Sequence, residues 1–311
     1  LDFDVVVEGD ASLLGKALHR KHGGRLVVHS RFGTAKWQLG DAVKTILAEM
    51  HLPVENEGEI PVALDIISAR TEFYDHPTAL PTVERSSIKL DLHRRDFTIN
   101  TLALRLDGRH YGDLYDYWGG LGDLQKGVVR VLHSLSFVDD PTRMMRAIRF
   151  EQRFGFKIDQ RTLQLMDEAR PLIRQVSGDR LRHELNLILA EEKAIKMLGR
   201  LKELDLLTAI HAELGWDARQ VQAMNAVLRG ELDPIWRLPE RMGSLDIRRA
   251  LGYLVWLAPL PAVDAGAIAQ RLRLNQSISA ALVAAEPLRR VLNALRGARP
   301  SQVVADLQSE S

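Results

Sequence analysis

The sequence contains no cysteine, which excludes disulfides and thiolate metal sites and is compatible with a reducing compartment. No apolar run approaches the length needed to span a bilayer, and no signal sequence is visible at the amino end. A cytoplasmic protein without a membrane partner is expected. Internal repeats and low-complexity tracts are also missing, which argues against solenoids and disordered linkers. What remains is an ordinary globular composition, 46% hydrophobic and 27% charged over 311 residues, enough to bury real cores in two or three subdomains.

The net charge of +1 conceals an asymmetry. Residues 1–80 carry four more acidic than basic side chains, and residues 141–202 carry six more basic than acidic. Such a split suits an acidic metal site beside a surface for phosphates; solvated helix faces would produce it as well.

The first ten residues, LDFDVVVEGD, place two carboxylates two positions apart in a run of β-branched residues. In a strand, residues i and i+2 share a face, so Asp2 and Asp4 would aim at one point and repel unless a cation lies between them. A Mg²⁺ site on a first strand is one reading. A solvent-facing strand end is the other.

Alternating strand and helix signals follow. They comprise a strand over DFDVVVEG, a helix over DASLLGKALHRKHG capped by Asp10, and strands over GRLVVHS, AKWQLGDA and PVALDIISAR. The segment EFYDHPTALPTVERSSIKLDL reads as a long loop. It runs into RRDFTINTLAL, where two arginines, an aspartate and an asparagine stand ahead of an apolar helical run. These types bind ribose and phosphate oxygens. Alternatively Asp96 caps a helix, Asn100 bonds the backbone and the arginines are surface. From residue 141 onward the pattern is helical, and a boundary is expected near Gly119–Gly127, in YWGGLGDLQKG.

In FVDDPTRMMRAIRF, Pro141 fits a first helical position and Asp140 an N-cap. Capping does not explain Arg143, Arg146 and Arg149, which recur every three residues. A helix with three guanidinium groups on one side is expected to meet phosphate or another acidic group.

Taken in order, DFD, RRDFTINTLA, DYWGGLGDLQKG, DDPTRMMRAIRF and SGDRLRHEL resemble the motifs of class II tRNA nucleotidyltransferases and the similar bacterial poly(A) polymerases. The resemblance covers residues 1–190 and is weaker beyond. It implies an α+β fold, a polymerase-β-like palm (1–118, a mixed sheet with helices) followed by an all-helical neck (119–190) and body (191–311). It also implies roles. Asp2 and Asp4 match the palm's metal-binding carboxylates, with Asp65 a third on a neighbouring strand. Arg95 matches the nucleotide-binding arginine, with Asp96 and Asn100 near ribose and phosphates. Asp140 and Arg143 match the pair that reads the incoming base, and Arg146 and Arg149 match further nucleotide contacts.

The implied activity is template-independent, Mg²⁺-dependent addition of A or C from ATP or CTP to the tRNA 3′ end, the acceptor arm being the partner. Asp139, where many relatives have Glu, favours an A-adding or a CCA-adding enzyme. A poly(A) polymerase is the nearest alternative, and a non-catalytic RNA-binding relic is the alternative of another class. Family members carry a Gly-rich triphosphate turn upstream of the aspartates, and this sequence begins after it, so a fragment is expected.

Overall fold

A computed structural model describes residues 3–29, 33–51, 61–73 and 82–295, together with 299, 301, 304 and 305. The chain divides into two units, Leu1–Gly122 and Asp123–Ser311.

The first unit is built on a four-stranded sheet. Strands β1 (Phe3–Val7), β2 (Arg25–His29), β3 (Thr34–Gln38) and β4 (Ala63–Ser68) take the order β1-β4-β3-β2. The β1–β4 pair is parallel and the others are antiparallel, which makes the sheet mixed. Its two faces follow from period-two alternation. Ala35, Trp37 and Ile66 are buried and form a core with Ala11, Leu39 and Ala42 from the helical side. The helices that cover this face are α1 (Ala11–His22) and α2 (Ala42–Glu49). Asp10 caps α1 as the sequence predicts, its carboxylate accepting from the Ser12 and Leu13 amides. Trp37 is anchored further by donating its indole N–H to the Gly23 carbonyl at 2.9 Å.

The expected long loop after β4 is corrected where it is described. It contains β5 (Arg70–Phe73) paired antiparallel with β6 (Thr82–Arg85), then helix α3 (Ile88–His93). These elements are held by distant partners that a local pattern does not reveal. Glu8, just past β1, accepts from the Ile88 amide at 2.7 Å, and Asp10 pairs with Arg85 at 2.7 Å. The apolar run after RRD is corrected too. Thr98–Asn100 forms a 3-10 turn and Ala103–Leu104 a short strand, because Asp96 and the Thr98 carbonyl capture the local donors Asn100 Nδ2 and Thr101 Oγ1.

The second unit is mainly helical, and the all-helical expectation is corrected by two short strand pairs. Val128–Val129 pairs with Lys157–Ile158 in parallel and Arg241–Met242 with Leu245–Asp246 antiparallel, joining segments through backbone bonds that a helical pattern does not show. After α4 (Gly120–Lys126), inside which the unit division falls, come α5 (Ser136–Asp139), α6 (Arg143–Phe154), α7 (Gln160–Ala169) and α8 (Gly178–Leu189). They are followed by α9 (Ala194–Glu203), α10 (Leu206–Ile210), α11 (Ala218–Arg229), α12 (Ile247–Leu257), α13 (Ala262–Arg271) and α14 (Gln276–Leu295). Helix α6 packs on α8 and α9, and α8 packs on α12, so residues before and after 190 share contacts. Met144, Ile148, Leu181, Leu185, Met197, Leu201, Tyr253 and Trp256 are among the side chains buried there. The polar ends of the large aromatics are satisfied: Tyr253 donates to Asn186 at 2.9 Å and Trp256 to the Gly215 carbonyl at 2.8 Å. Among the described residues no helix is long and apolar enough to cross a membrane.

Candidate nucleotide site

Two groups of predicted residues emerge, one in each unit. In the first, Asp4 on β1 is the register partner of Asp65 on β4, and Asp65 is the partner of Lys36 on β3. All three lie on the sheet face opposite the α1/α2 core, since Ile66 and Ala35, their neighbours in sequence, point into that core. Asp4 is exposed. Asp65 is paired with Lys36, whose Nζ donates to its Oδ2 at 2.8 Å. Asp2 lies outside the described residues. Among the described residues no group of three or more His, Cys, Asp or Glu forms a ready metal cage. The oxygen donors of Asp4 and Asp65 at adjacent register positions are nonetheless the hard set that a divalent cation takes with water or phosphate oxygens.

The RRD segment lies at the end of α3. Arg94 is fully engaged inside the protein: its Nε and Nη2 donate to Asp91 at 3.1 and 2.9 Å, and its Nη1 donates to Glu72 at 2.9 Å. Arg95 is held more loosely, with Nη2 3.4 Å from Asp91 and Nη1 3.3 Å from the Asn100 carbonyl. Its Nε is buried and has no hydrogen-bond partner among the described residues. Asp96 turns inward, accepting from its neighbour's amide and from Asn100 Nδ2 at 2.8 Å. The two residues expected near ribose thus shape the turn that carries Arg95.

In the second unit, Asp140 is corrected from N-cap to the residue that closes α5. Helix α6 begins at Arg143, after Thr142. The physical reason is a tight first turn. The amides of Arg143 and Met144 bond three residues back, to Asp140 and Pro141, and the four-residue pattern begins with Arg146. The Asp140 side chain still stabilises this start, its Oδ1 accepting from the Thr142 amide at 2.9 Å and hydroxyl at 2.6 Å. The same oxygen is 2.6 Å from Arg180 on α8.

The arginine stripe meets an acidic group, as its spacing predicts, but within the chain. Glu184 on α8 lies 3.6 Å from Arg149 and 4.0 Å from Arg146, while Arg143 donates to the Ser136 hydroxyl at 2.8 Å. Burial pushes the Glu184 carboxyl above its ordinary value against the pull of Arg146 and Arg149. Burial likewise pulls Arg149 below its ordinary value. Arg180 and Glu184, within SGDRLRHEL, and Asp91 and Lys36 hold these groups in place without belonging to a pattern that the sequence marks as functional. The available signal was the i, i+4 spacing of Arg180 with Glu184 and of Asp91 with Arg95, which puts each pair on one face of its segment.

The description "Poly A polymerase head domain" matches residues 1–130, and "Probable RNA and SrmB- binding site of polymerase A" matches residues 155–215. An A-adding tRNA nucleotidyltransferase of Geobacter sulfurreducens is 43% identical over 228 residues, which is 73% of this chain and 24% of that protein. An A-adding tRNA nucleotidyltransferase of Halalkalibacterium halodurans is 37% identical over 213 residues, 67% of this chain and 45% of that protein. The solved structure of a CCA-adding enzyme in an apo form superposes with a TM-score of 0.75 at 34% identity, covering 96% of this chain and 65% of that one. The chain therefore spans between a quarter and about half the length of these curated relatives.

Proposed function

This chain belongs to the class II tRNA nucleotidyltransferases and their poly(A) polymerase relatives, with the α+β polymerase-β-like fold of that family, and from that premise we propose that it adds nucleotides to the 3′ end of tRNA. The observation that carries this reading is the placement of Asp4 beside Asp65 on the sheet face left open by the core. Asp4, with Asp2 and Asp65, would hold Mg²⁺, which lowers the pKa of an attacking 3′-hydroxyl and neutralises a leaving pyrophosphate. The protein's own contribution is positioning. Arg95 offers its partly exposed guanidinium to a nucleotide oxygen, and the turn shaped by Asp96 and Asn100 holds it through the Asn100 carbonyl.

Base choice follows from hydrogen-bond inventory. Adenine and cytosine each present an amino donor beside a ring-nitrogen acceptor, which suits a carboxylate that only accepts and a guanidinium that only donates. Asp140 and Arg143 supply that pair, and we assign the second carboxylate oxygen of Asp140 to the base, Oδ1 being occupied by Thr142 and Arg180. Guanine and uracil present a carbonyl beside a ring N–H, and each mismatch in a dry pocket costs about 1–3 kcal/mol. Arg146 and Arg149, further nucleotide contacts by the family resemblance, stand against Glu184, which braces α6 on α8. The cytoplasmic setting expected from the sequence is part of the proposal.

The test supplies the full-length protein with tRNAs ending before the first C, after one C and after CC, each with labelled ATP or CTP. Incorporation of A only onto the CC end identifies an A-adding enzyme, and stepwise C, C, A identifies a CCA-adding one. Products of growing length identify the poly(A) alternative. Binding of tRNA with no incorporation overturns the enzymatic reading in favour of an RNA-binding relic.

A further inference from the structure

Among the described residues of the first unit Asp91 is the most deeply buried charge, with 0% of its surface exposed. A carboxylate there is tolerated only if its lone pairs are filled by donors. The donors are unequal. Oδ1 takes the Arg70 amide at 3.2 Å and two nitrogens of Arg94, whereas Oδ2 takes a single long contact of 3.4 Å from Arg95. Glu72 completes the engagement of Arg94 from β5. One carboxylate thus separates two adjacent arginines into different states. Arg94 spends every nitrogen on Asp91 and Glu72, while Arg95 keeps a buried Nε–H that nothing among the described residues accepts.

Nε is enclosed, so a ligand reaches Arg95 through the rest of its guanidinium; the side chain is 28% exposed and its two bonds are long, which leaves donor capacity for an oxygen acceptor. We propose that Asp91 is the positioning residue for nucleotide binding: its single long bond to Nη2 holds the partly exposed Arg95 guanidinium in place for an oxygen of the nucleotide. The inference rests on the nucleotidyltransferase reading above. Asp91 touches no substrate; it acts through Arg95. Glu72, through Arg94, forms the frame that keeps Asp91 in place.

Calorimetric titration of ATP with Mg²⁺ into the protein tests this, with melting temperature recorded for each variant. Asp91→Asn keeps the shape and removes the charge, and it is expected to weaken ATP binding about tenfold. Arg95→Ala should weaken it at least as much. The decisive sample is the double variant: if Asp91 acts through Arg95, adding Asp91→Asn to Arg95→Ala changes ATP affinity by less than about twofold. If Asp91→Asn does not fold, Asp91→Glu retains the charge for Arg94 and displaces Arg95, and is held to the same test in both backgrounds. Equal losses from the Asp91 change with and without Arg95 overturn the proposal, as does an Asp91 variant with unchanged ATP affinity. A wild-type protein that binds no ATP overturns the nucleotidyltransferase reading and this inference with it. Wild-type binding with no coupling between Asp91 and Arg95 overturns this inference alone.

Discussion

Arg180 reaches from α8 to Asp140 in a 2.6 Å ion pair, and the same carboxylate oxygen closes the turn that starts α6. The residue assigned to the incoming base is therefore fixed by its own turn and by a neighbouring helix. A carboxylate held at two points loses little entropy when a ligand arrives, which suits a group that must discriminate by geometry.

Asp140→Asn is expected to reduce the preference for ATP over GTP by about 1–3 kcal/mol, roughly ten- to a hundredfold, because the amide can turn a donor toward the carbonyl of G. Arg180→Gln removes the same ion pair while keeping the carboxylate and its turn, and it should lower that preference by less than Asp140→Asn does. Competition between ATP and GTP for both variants, with melting curves, separates the roles. If both variants lose stability alike and discriminate like the wild type, Asp140 is only a turn residue.

Asp4→Asn in the full-length protein should reduce nucleotide incorporation to background while tRNA affinity stays within about twofold, since the carboxylate serves cation and not RNA. Asp65→Asn should cost less, because Asp65 already has the Lys36 ammonium as its counter-charge. Gel-shift and incorporation assays on the pair measure this. Turnover by Asp4→Asn comparable to wild type would remove Asp4 from the reaction.

The Glu184 carboxyl is pushed above its ordinary value of 4.5 by burial. A carboxyl with a folded pKa above its unfolded one binds more protons when folded. Its stabilising contribution is complete below 4.5 and is lost as pH rises through the folded pKa. Glu184→Gln stays neutral throughout, so it should gain stability relative to wild type as pH rises from about 4 to about 7. Denaturant titrations at both ends of that range decide it. A variant that instead falls behind with rising pH would show that Arg146 and Arg149 outweigh burial.

Gly178, the first residue of α8, leaves no room for a side chain, since a Cβ there would stand 2.1 Å from the Arg271 carbonyl oxygen. Gly178→Ala should destabilise by about 1–3 kcal/mol through forced separation of α8 from the α13 end. Gly266, inside α13, has nothing within 4 Å of its Cβ position. There the same change should stabilise by about 0.5–1 kcal/mol through helix propensity. Thermal melts of the two variants should move in opposite directions.

Much of the fold was legible because its causes are local. The valine run before Gly9, the Asp10 cap, the strand signal in AKWQ and the helical pattern after residue 141 each act over a few residues, and an element formed at each, although the strand stops at Gln38 and the helix starts at Arg143. The errors occurred where distant partners decide. Thr82–Arg85 became a strand through pairing with Arg70–Phe73, and Ile88–His93 became a helix with Glu8 bonded to its first amide. Neither cause is visible in a ten-residue window.

The site divides in the same way. The sequence alone determined which chemical groups are present and in what order: carboxylates on a first strand, an arginine pair before an aspartate, and three arginines spaced along one helix. Only the tertiary structure decided what each group meets. It brought Asp65 beside Asp4 and gave it Lys36, opposed Arg146 and Arg149 with Glu184, and gave Arg94 short bonds while Arg95 took long ones. The physical reason is that side-chain charge and hydrogen-bond capacity are fixed by residue type, whereas partners are assigned by sheet register and helix packing.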